Sequence, residues 1–544
     1  MPIPKLFMML VLLLGIGVAA SRGSSEVSVR VASQSLATSA CSGSFVEHDL
    51  PHITTSRQQP ARGTDGEGSG LALGDLNNDG RIDIVLANEN GPATILWNQG
   101  GFRFRKQILA DPDTRAVAIV DVDGDGWPDI VFTHNVGIPS YWHNQKGQGF
   151  AQAELPGVRY KAYTMLWDDL EGRGQLDLVT ASYDTLLDAE LKDSFLFSEG
   201  AGVVLYRPGP KGYLPERLAR RSQALSIAAF DVSGSGKRDL IVGNDFGVPP
   251  MVWQPTAKGW EAVHPFPHFS QNVMSLSVAD VHNDATPELF SSDMKPDFRD
   301  PKALVAWIPL MEKGYKGLTR SASQRPENML QRRSVHTFRN EAYTLGIDAT
   351  GWSWSAKFAD LNNDGFSDLY VVNGMIDQEL LGYLPGGEIV EQNQVFRNVN
   401  GRRFEPRPDW KLGSIRSGRG MSIADLDNNG RLDIVVNNLN APAQLFENQL
   451  CGGPALEVSL RWESKNTRAI GAQVMLHTSQ GQQWRQVTAT SGYLSGDASR
   501  IHFGFPASET LQGAWLEIIW PDGKHSAFKN LRPQTLLTLT RQEG

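Results

Sequence analysis

The chain has 544 residues, of which 40% are hydrophobic and 20% are charged, and its net charge is −9 at neutral pH. This length and apolar content favour at least two globular domains with sizeable cores. The acidic balance argues against a nucleic-acid-binding protein, which would present a basic surface, so we expect no nucleic-acid partner.

The N-terminal residues have the pattern of a secretory signal peptide. An apolar run from Leu6 to Ala20 ends in small residues before Ser21. The run is shorter than the ~20 residues that a membrane-spanning helix needs. We predict a cleaved signal peptide at 1–20, with a retained anchor as the alternative, and a flexible Ser-rich leader at 21–40. The mature chain would be secreted or extracytoplasmic, in the periplasm or at the cell surface, without stable membrane insertion.

The stretch DLNNDGRID, residues 75–83, has the ligand spacing of a calcium-binding loop. It places carboxylate or amide oxygens at positions 1, 3, 5 and 9, and a backbone carbonyl at position 7 supplies another oxygen. Calcium takes six to eight oxygen ligands in flexible geometry, and Gly80 at position 6 permits a sharp turn. The β-like run IVLAN follows, so we predict a calcium loop between two strands.

Seven copies of this loop occur, and their first residues are Asp75, Asp121, Asp169, Asp231, Asp280, Asp360 and Asp425. An apolar run precedes every loop, and a second apolar run follows most loops. A third run ends in an aromatic residue, often with Asn close behind, and a fourth run comes after it. Four short strands in each repeat are typical of a propeller blade. We therefore predict an all-β protein with a seven-bladed β-propeller at 41–450.

The only two cysteines, Cys41 and Cys451, flank the repeats. Residues 41–53 are strand-like and are predicted to complete the last blade, which would place the two cysteines side by side. A disulfide there would close the ring and contribute roughly 4–5 kcal/mol in the chain-entropy model. Two unpaired thiols, or a lipidated Cys41, are the alternatives.

Residues 453–544 lack the aspartate loop and alternate between apolar and polar residues, as in ALEVSLRW and WLEIIW. Short alternating segments separated by turns predict a small β-sandwich domain after the propeller.

The seven loops resemble FG-GAP/VCBS repeats, which form the propellers of integrin alpha subunits. The segments NTRAIGAQV (466–474), SGYLSGDASRIHFGF (491–505) and IIWPDG (518–523) resemble the ASPIC/UnbV domain. The combination resembles the cartilage acidic protein-like family. This resemblance implies an extracytoplasmic calcium-binding propeller without an established enzymatic activity.

Four loops keep a full set of oxygen ligands, and position 7 contributes its backbone carbonyl in each. The predicted ligands are Asp75, Asn77, Asp79, Arg81 and Asp83 in loop 1, Asp121, Asp123, Asp125, Trp127 and Asp129 in loop 2, Asp360, Asn362, Asp364, Phe366 and Asp368 in loop 6, and Asp425, Asp427, Asn429, Arg431 and Asp433 in loop 7. We expect about four to five Ca²⁺ sites of mainly structural role.

The other three loops depart from this pattern. Arg173 stands at position 5 of loop 3, where a guanidinium could replace the cation, and two serines lower the charge of loop 4. In loop 5, His282 is expected to point away, and Asp280, Asp284 and Glu288 are candidate ligands. The sequence leaves calcium binding by loops 3, 4 and 5 open. Acidic turns without metal are the alternative for all seven.

No metalloprotease, nucleophile-elbow or phosphate-loop motif occurs. Three insertions, at 184–200, 293–331 (with a helical piece) and 374–392, are either binding loops on one face or solvated excursions. We expect a binding or adhesion module for a protein or glycan ligand. The alternative is a carbohydrate-active hydrolase or lyase whose acids and aromatic residues meet in the central funnel.

Overall fold

The computed structural model describes residues 27–57, 66–185, 187, 201–246, 248–297, 301–314, 323–335, 337–374 and 391–542. The predicted signal peptide lies outside these residues. The described helical elements include helix α1 (Pro301–Gly314), helix α2 (Ala342–Leu345) and a short 3-10 helix (Pro408–Trp410). Helix α1 confirms the helical piece predicted in the second insertion. Across the described ranges, no helix is long and apolar enough to cross a bilayer.

Seven antiparallel four-stranded units, which we call blades 1 to 7 in the order of their loops, surround a central channel. The inner strands, which contact one another around the ring, are Leu71–Gly74, Thr114–Val120, Thr164–Asp168, Ala224–Phe230, Ser275–Ala279, Ser353–Ala359 and Gly418–Ala424. The second strands are Asp83–Leu86, Asp129–His134, Asp177–Ala181, Asp239–Asn244, Glu288–Ser292, Asp368–Asn373 and Asp433–Asn438. The third strands are Ala93–Asn98, Ser140–Asn144, Val203–Gly209, Met251–Thr256, Met329–Arg333, Gln394–Asn398 and Pro442–Asn448. The outer strands are Phe104–Leu109, Phe150–Ala153, Gly212–Ala219, Gly259–Val263, Phe338–Asn340, Phe404–Pro406 and, for blade 7, Phe45–Ile53. A two-residue parallel pair, Phe269–Ser270 with Gln324–Arg325, lies beside blade 5.

The ring closes through the outer strand of blade 7, which comes from the N-terminal side of the propeller. Phe45–Ile53 pairs antiparallel with Pro442–Asn448. Cys41 and Cys451 form a disulfide whose Cα atoms lie 5.1 Å apart. The seven-bladed fold, the ring closure and the pairing of the cysteines are therefore confirmed.

The connections within each blade alternate between the two faces of the propeller. The aspartate loops join inner to second strands, so all seven lie on one face, which we call the loop face. The connections from second to third strands lie on the opposite face, which we call the far face. All three predicted insertions join second to third strands, so the chain enters and leaves them on the far face, although most of their residues lie outside the described ranges.

The C-terminal domain is a sandwich of two four-stranded sheets. One sheet contains Val29–Ser35, Thr535–Arg541, Ala455–Trp462 and Arg500–Gly504, in that order. The other contains Gly481–Gln486, Gln473–Thr478, Trp515–Ile519 and His525–Lys529. Val29–Ser35 corrects the prediction of a flexible leader over 21–40. It forms a strand because it pairs along its whole length with an otherwise open sheet edge.

The C-terminal domain sends a short hairpin into the central channel. Its strands, Thr490–Ser491 and Ser495–Gly496, pair with each other, and Gly496 also pairs with Ala72 of blade 1. Inner strands of other blades hydrogen-bond the hairpin, as in Val117 N–H to the Leu494 carbonyl at 3.2 Å. The fit requires glycine at position 70, where a Cβ would lie 1.7 Å from the Leu494 oxygen. The hairpin therefore occupies part of the channel.

Replacing both cysteines tests the ring closure. We expect the Cys41→Ser/Cys451→Ser variant to unfold at lower urea concentration, because the disulfide restricts the unfolded chain, with a loss of roughly 4 kcal/mol. Reductant should lower the wild-type midpoint and leave the variant midpoint unchanged. Equal midpoints for the two proteins under oxidising conditions would contradict the closure role.

Candidate metal loops and the channel mouth

All seven aspartate loops fold around the carboxylate at position 1. This side chain accepts the backbone N–H groups of positions 5 and 6 in every loop. In loop 1, for example, Asp75 accepts from Asp79 and Gly80, both at 3.0 Å. The loop conformation is therefore shared by complete and degenerate copies, and it does not depend on the residues at positions 3 and 5.

Position 4 carries a constraint that the metal pattern alone did not reveal. Its φ is positive in every loop, and its residue is asparagine or glycine: Asn78, Gly124, Gly172, Gly234, Asn283, Asn363 and Asn428. These two residue types tolerate the left-handed region best. Loop 5 also has Ala285 at position 6 with φ 62°, so its backbone is strained where the other loops have glycine.

The carboxylate at position 9 ties its loop to the third strand of the same blade. In loop 1, Asp83 accepts the N–H of Leu76 at 3.2 Å and the N–H of Asn98 at 2.7 Å. The Asn98 side-chain amide then donates to the carbonyls of Ile82, in the same blade, and Leu426, in blade 7. One asparagine therefore joins two blades.

The same interblade clasp recurs at Asn144, Asn398 and Asn448. Its four members end the third strands of blades 1, 2, 6 and 7, the blades predicted to bind calcium. By strand register, Pro208 and Pro255 occupy the equivalent position in blades 3 and 4. Proline has no N–H, so one buried oxygen of Asp177 and one of Asp239 lack a hydrogen-bond partner within the described ranges.

The position-9 carboxylates of the metal loops are buried, as are Asp121, Asp360 and Asp425 at position 1, and burial disfavours their charged form. Burial raises the pKa of Asp83 and of Asp129 to about 7. It also raises the pKa of Asp368, Asp425 and Asp433 well above the usual value, and neighbouring carboxylates add to the effect. A cation among these oxygens would favour the ionised form instead.

Arginine side chains contact the carboxylates of two degenerate loops. In loop 3, Arg173 Nη2 lies 2.5 Å from Asp177 Oδ1, as predicted for a guanidinium in place of a cation. In loop 5, Arg332 Nη2 lies 2.6 Å from Asp284 Oδ2, and its Nε lies 3.6 Å from Glu288 Oε1. The candidate ligands Asp280, Asp284 and Glu288 are thus close to a cationic side chain that sequence spacing could not identify.

His282 makes its hydrogen bonds outside its own loop. Its Nδ1 lies 2.6 Å from the Gly401 carbonyl oxygen, and its Nε2 lies 3.0 Å from Glu341. The same Nε2 also lies 3.8 Å from Glu288 Oε1, so the ring stays beside position 9 of loop 5.

The four complete loops differ in how free their carboxylates are. Arg81 contacts Asp79 in loop 1, and Arg397 contacts Asp364 in loop 6. In loop 2, carboxylate oxygens of Asp121, Asp123 and Asp125 lie within 4.8 Å of one another, as do those of Asp425, Asp427 and Asp433 in loop 7. Loops 2 and 7 therefore fit a hard divalent cation best. His143, 3.4 Å from Asp123 and 3.3 Å from Asp129, is a neighbour of loop 2 that the sequence did not identify.

The C-terminal domain docks directly onto the loop face. Thr467 Oγ1 donates to Asp121 at 2.6 Å, Arg468 to Asn78 at 2.5 Å and Asn466 N–H to the Gly174 carbonyl at 2.9 Å. Arg500, from the second ASPIC/UnbV-like segment, donates to Asn428 in loop 7. The residues that carry the family resemblance of this domain therefore bind the loops and lie in the channel.

The hairpin tip reaches the far end of the channel, which we call the mouth. Tyr493 at the tip donates to the Glu67 carbonyl at 2.9 Å and shares a 2.9 Å hydrogen bond with the Tyr163 hydroxyl. Its ring packs against Trp354 with centroids 5.0 Å apart. A residue of the C-terminal domain thus forms the floor of the mouth.

Two buried arginines lie around this floor. Arg115 forms an ion pair with Glu89 at 3.0 Å and lies over the Tyr163 ring. The Arg419 guanidinium lies 4.3 Å from the Trp354 ring centroid and donates to the Gly66 carbonyl at 2.8 Å. Burial, with Asp245 nearby, raises the pKa of Glu67 to about 8. Acidic and aromatic residues therefore meet at the mouth, where they pair and pack with one another.

The fold and loops define a seven-bladed FG-GAP-type propeller joined to an ASPIC and UnbV domain. The FG-GAP-like repeat model matches residues 75–132, 121–180 and 383–436, and the ASPIC and UnbV model matches residues 462–544. The FG-GAP-like repeats and the ASPIC and UnbV domain that the motifs predicted are therefore present, and the curated homologues of the chain are cartilage acidic protein 1.

Cartilage acidic protein 1 from Homo sapiens is 22% identical over 84% of this chain and 69% of that protein. The Xenopus tropicalis protein of the same name is 25% identical over 84% of this chain and 70% of that protein. A crystal structure of BBS1N in complex with ARL6DN covers 75% of this chain and 98% of that chain at 8% identity, with a TM-score of 0.42. That value is too low to support a structural comparison.

Removing an interblade asparagine should destabilise the ring. We expect Asn98→Ala to lower the free energy of unfolding by roughly 1–3 kcal/mol, because two buried carbonyls lose their donor. Gln99→Ala, at the exposed neighbouring residue, is the matched control and should have little effect. Equal urea midpoints for the two variants would show that the clasp contributes nothing.

The pH dependence of stability should report the protonation of Glu67. Its folded-state pKa is raised to about 8 from 4.5, so its contribution to stability is full below pH 4.5 and is lost as the pH rises towards 8. Glu67→Gln cannot ionise, so its melting temperature relative to wild type should increase by about 2 °C or more between pH 5 and pH 8.5. The groups facing Glu67 are Asp245, Glu89, Arg115, Arg419, Tyr163, Tyr183 and Tyr493.

Glu261→Gln, at an exposed site on the outer strand of blade 4, is the control and should show no such trend. Differential scanning fluorimetry across the pH range measures both variants. A difference between Glu67→Gln and wild type that stays constant with pH would refute this assignment.

Proposed function

We propose that this chain is a calcium-binding extracellular propeller protein that acts as a binding or adhesion module for a protein or glycan ligand. The observation that carries the calcium part is the pair of carboxylate clusters in loops 2 and 7. Residues Asp425, Asp427 and Asp433 would hold one ion, and Asp121, Asp123 and Asp125 another. Loops 1 and 6 are the next candidates. The bound ions would neutralise buried carboxylates on the loop face.

The proposed extracellular location is supported by three features. The chain is similar to cartilage acidic protein 1, its only two cysteines are paired, and its N-terminal sequence has the pattern of a signal peptide.

The binding role is proposed for the far face, because the C-terminal domain covers the loop face. The far face is also where the three insertions enter and leave the propeller. In propellers and other repeat folds, such insertions concentrate on one face, which is often the binding face. The loop face would then hold the C-terminal domain, and the far face would bind the ligand.

A carbohydrate-active hydrolase or lyase is the second candidate, and one observation favours it. Glu67 lies at the mouth with a pKa raised to about 8 by burial, which is the state of a general acid at neutral pH. Release of new reducing or unsaturated ends from polysaccharides would distinguish an enzyme from a binding module.

Calcium should raise the melting temperature, and chelator should lower it. One site stabilises the fold by about 2.7 kcal/mol when free calcium is 100 times the dissociation constant. We expect Asp123→Asn in loop 2 and Asp427→Asn in loop 7 each to reduce the calcium-induced increase. Ser233→Ala, at the same position of loop 4, is the control and should keep the full increase. A wild-type melting temperature that is equal in calcium and chelator would remove the proposal.

A further inference from the structure

The mouth has unmet hydrogen-bonding capacity of both kinds. Arg115 Nη2 and Trp354 Nε1 are buried donors without a partner among the described residues. The Glu67 carboxyl group has charged neighbours but no hydrogen-bond partner within the same ranges. Buried polar groups in native proteins are nearly always hydrogen-bonded, so these groups call for a ligand or solvent that both donates and accepts.

An exposed aromatic residue stands beside these groups. Phe246, 41% exposed, stacks on the buried Tyr183 ring with centroids 6.1 Å apart and an interplanar angle of 15°. The Tyr183 hydroxyl donates to Asp245 at 2.9 Å, and Asp245 accepts the Phe246 N–H at 2.7 Å. The Phe246 φ of 54° lies in the left-handed region, which is unfavourable for an aromatic residue. Asp245 thus fixes the position of the exposed ring.

The charge balance at the mouth disfavours a strongly charged ligand. Arg115 is paired with Glu89. Arg419 donates to the Gly66 and Gly418 carbonyls and lies over Trp354. The carboxyl groups of Asp245 and Glu67 are both near Tyr183. Glu67 is largely protonated at neutral pH because burial raises its pKa to about 8. The mouth therefore suits an uncharged ligand whose hydroxyl groups form hydrogen bonds and which has a face that can pack on an aromatic ring.

We propose that the mouth is a glycan-binding site, in which Phe246 stacks against the apolar face of a pyranose ring while Glu67, Asp245, Arg115 and Trp354 bond its hydroxyls. A sugar hydroxyl both donates and accepts, which matches the unmet donors and acceptors. A large aromatic ring supplies the apolar contact surface. This inference rests on the proposed binding function and narrows its ligand from protein or glycan to glycan.

The site is composite, because the C-terminal domain supplies Tyr493 as its floor. The Tyr493 hydroxyl bonds Tyr163 and the Glu67 backbone. Tyr493→Phe removes both bonds but keeps the ring in the channel. We therefore expect this variant to weaken glycan binding without releasing the hairpin.

Isothermal titration of the full chain in calcium tests the site with three neutral probes: maltotriose, cellotriose and chitotriose. We expect at least one probe to bind, with Phe246→Ala and Glu67→Ala each weakening it at least tenfold. Ile415→Ala removes an exposed apolar side chain on the same face and should bind as wild type does. The melting temperature of each variant checks that it is folded.

Two results would overturn the inference. One is that none of the three probes binds wild type. The other is that the bound probe keeps its affinity in both Phe246→Ala and Glu67→Ala. In either case, a calcium-induced increase in melting temperature would leave the calcium part of the proposed function standing, whereas loss of that increase would remove the calcium part separately.

Discussion

The burial of the carboxylate at position 9 in every loop, and at position 1 in all loops except loops 1 and 4, is the constraint on which this structure depends. Position 1 gathers the backbone of its own loop, and in blades 1, 2, 6 and 7 position 9 accepts a backbone N–H of the third strand. Buried carboxylates need a proton or a cation, because burial disfavours the charged form. Arg173 and Arg332 provide positive charge in blades 3 and 5. The carboxylate clusters of loops 2 and 7 have no such arginine contact within the described ranges, and calcium is the cation that their oxygens suit.

All seven loops lie on one face of the propeller. The C-terminal domain is therefore held to the propeller by contacts with these loops. Asn466, Thr467 and Arg468 reach three loops from one turn of that domain. The hairpin beyond them lies in the channel and carries Tyr493 to the mouth. Stability of the loops, docking of the domain and geometry of the mouth are therefore physically connected. The docked hairpin thus links the loop face to the far face, as the strands of each blade also do.

The repeated loops made the fold predictable, because the ligand residues of each loop lie within nine consecutive positions and its turn requires glycine or asparagine. The seven blades, the closing strand and the disulfide all followed from the positions of the repeats and Cys41. Other features depend on strand register between distant segments, which local spacing does not encode. The donor role of Asn98, the pairing of Val29–Ser35 and the meeting of Glu67 with Tyr493 are of this kind. A serine-rich composition even concealed the Val29–Ser35 strand.

The central claim is that calcium replaces protons among buried carboxylates of the complete loops and stabilises the propeller under its C-terminal domain. Anomalous diffraction from crystals grown in calcium locates the ions directly. The account predicts calcium peaks in loops 2 and 7, then in loops 1 and 6, and no peak beside Arg173 in loop 3. Empty loops 2 and 7 at saturating calcium, or an ion beside Arg173, would contradict it.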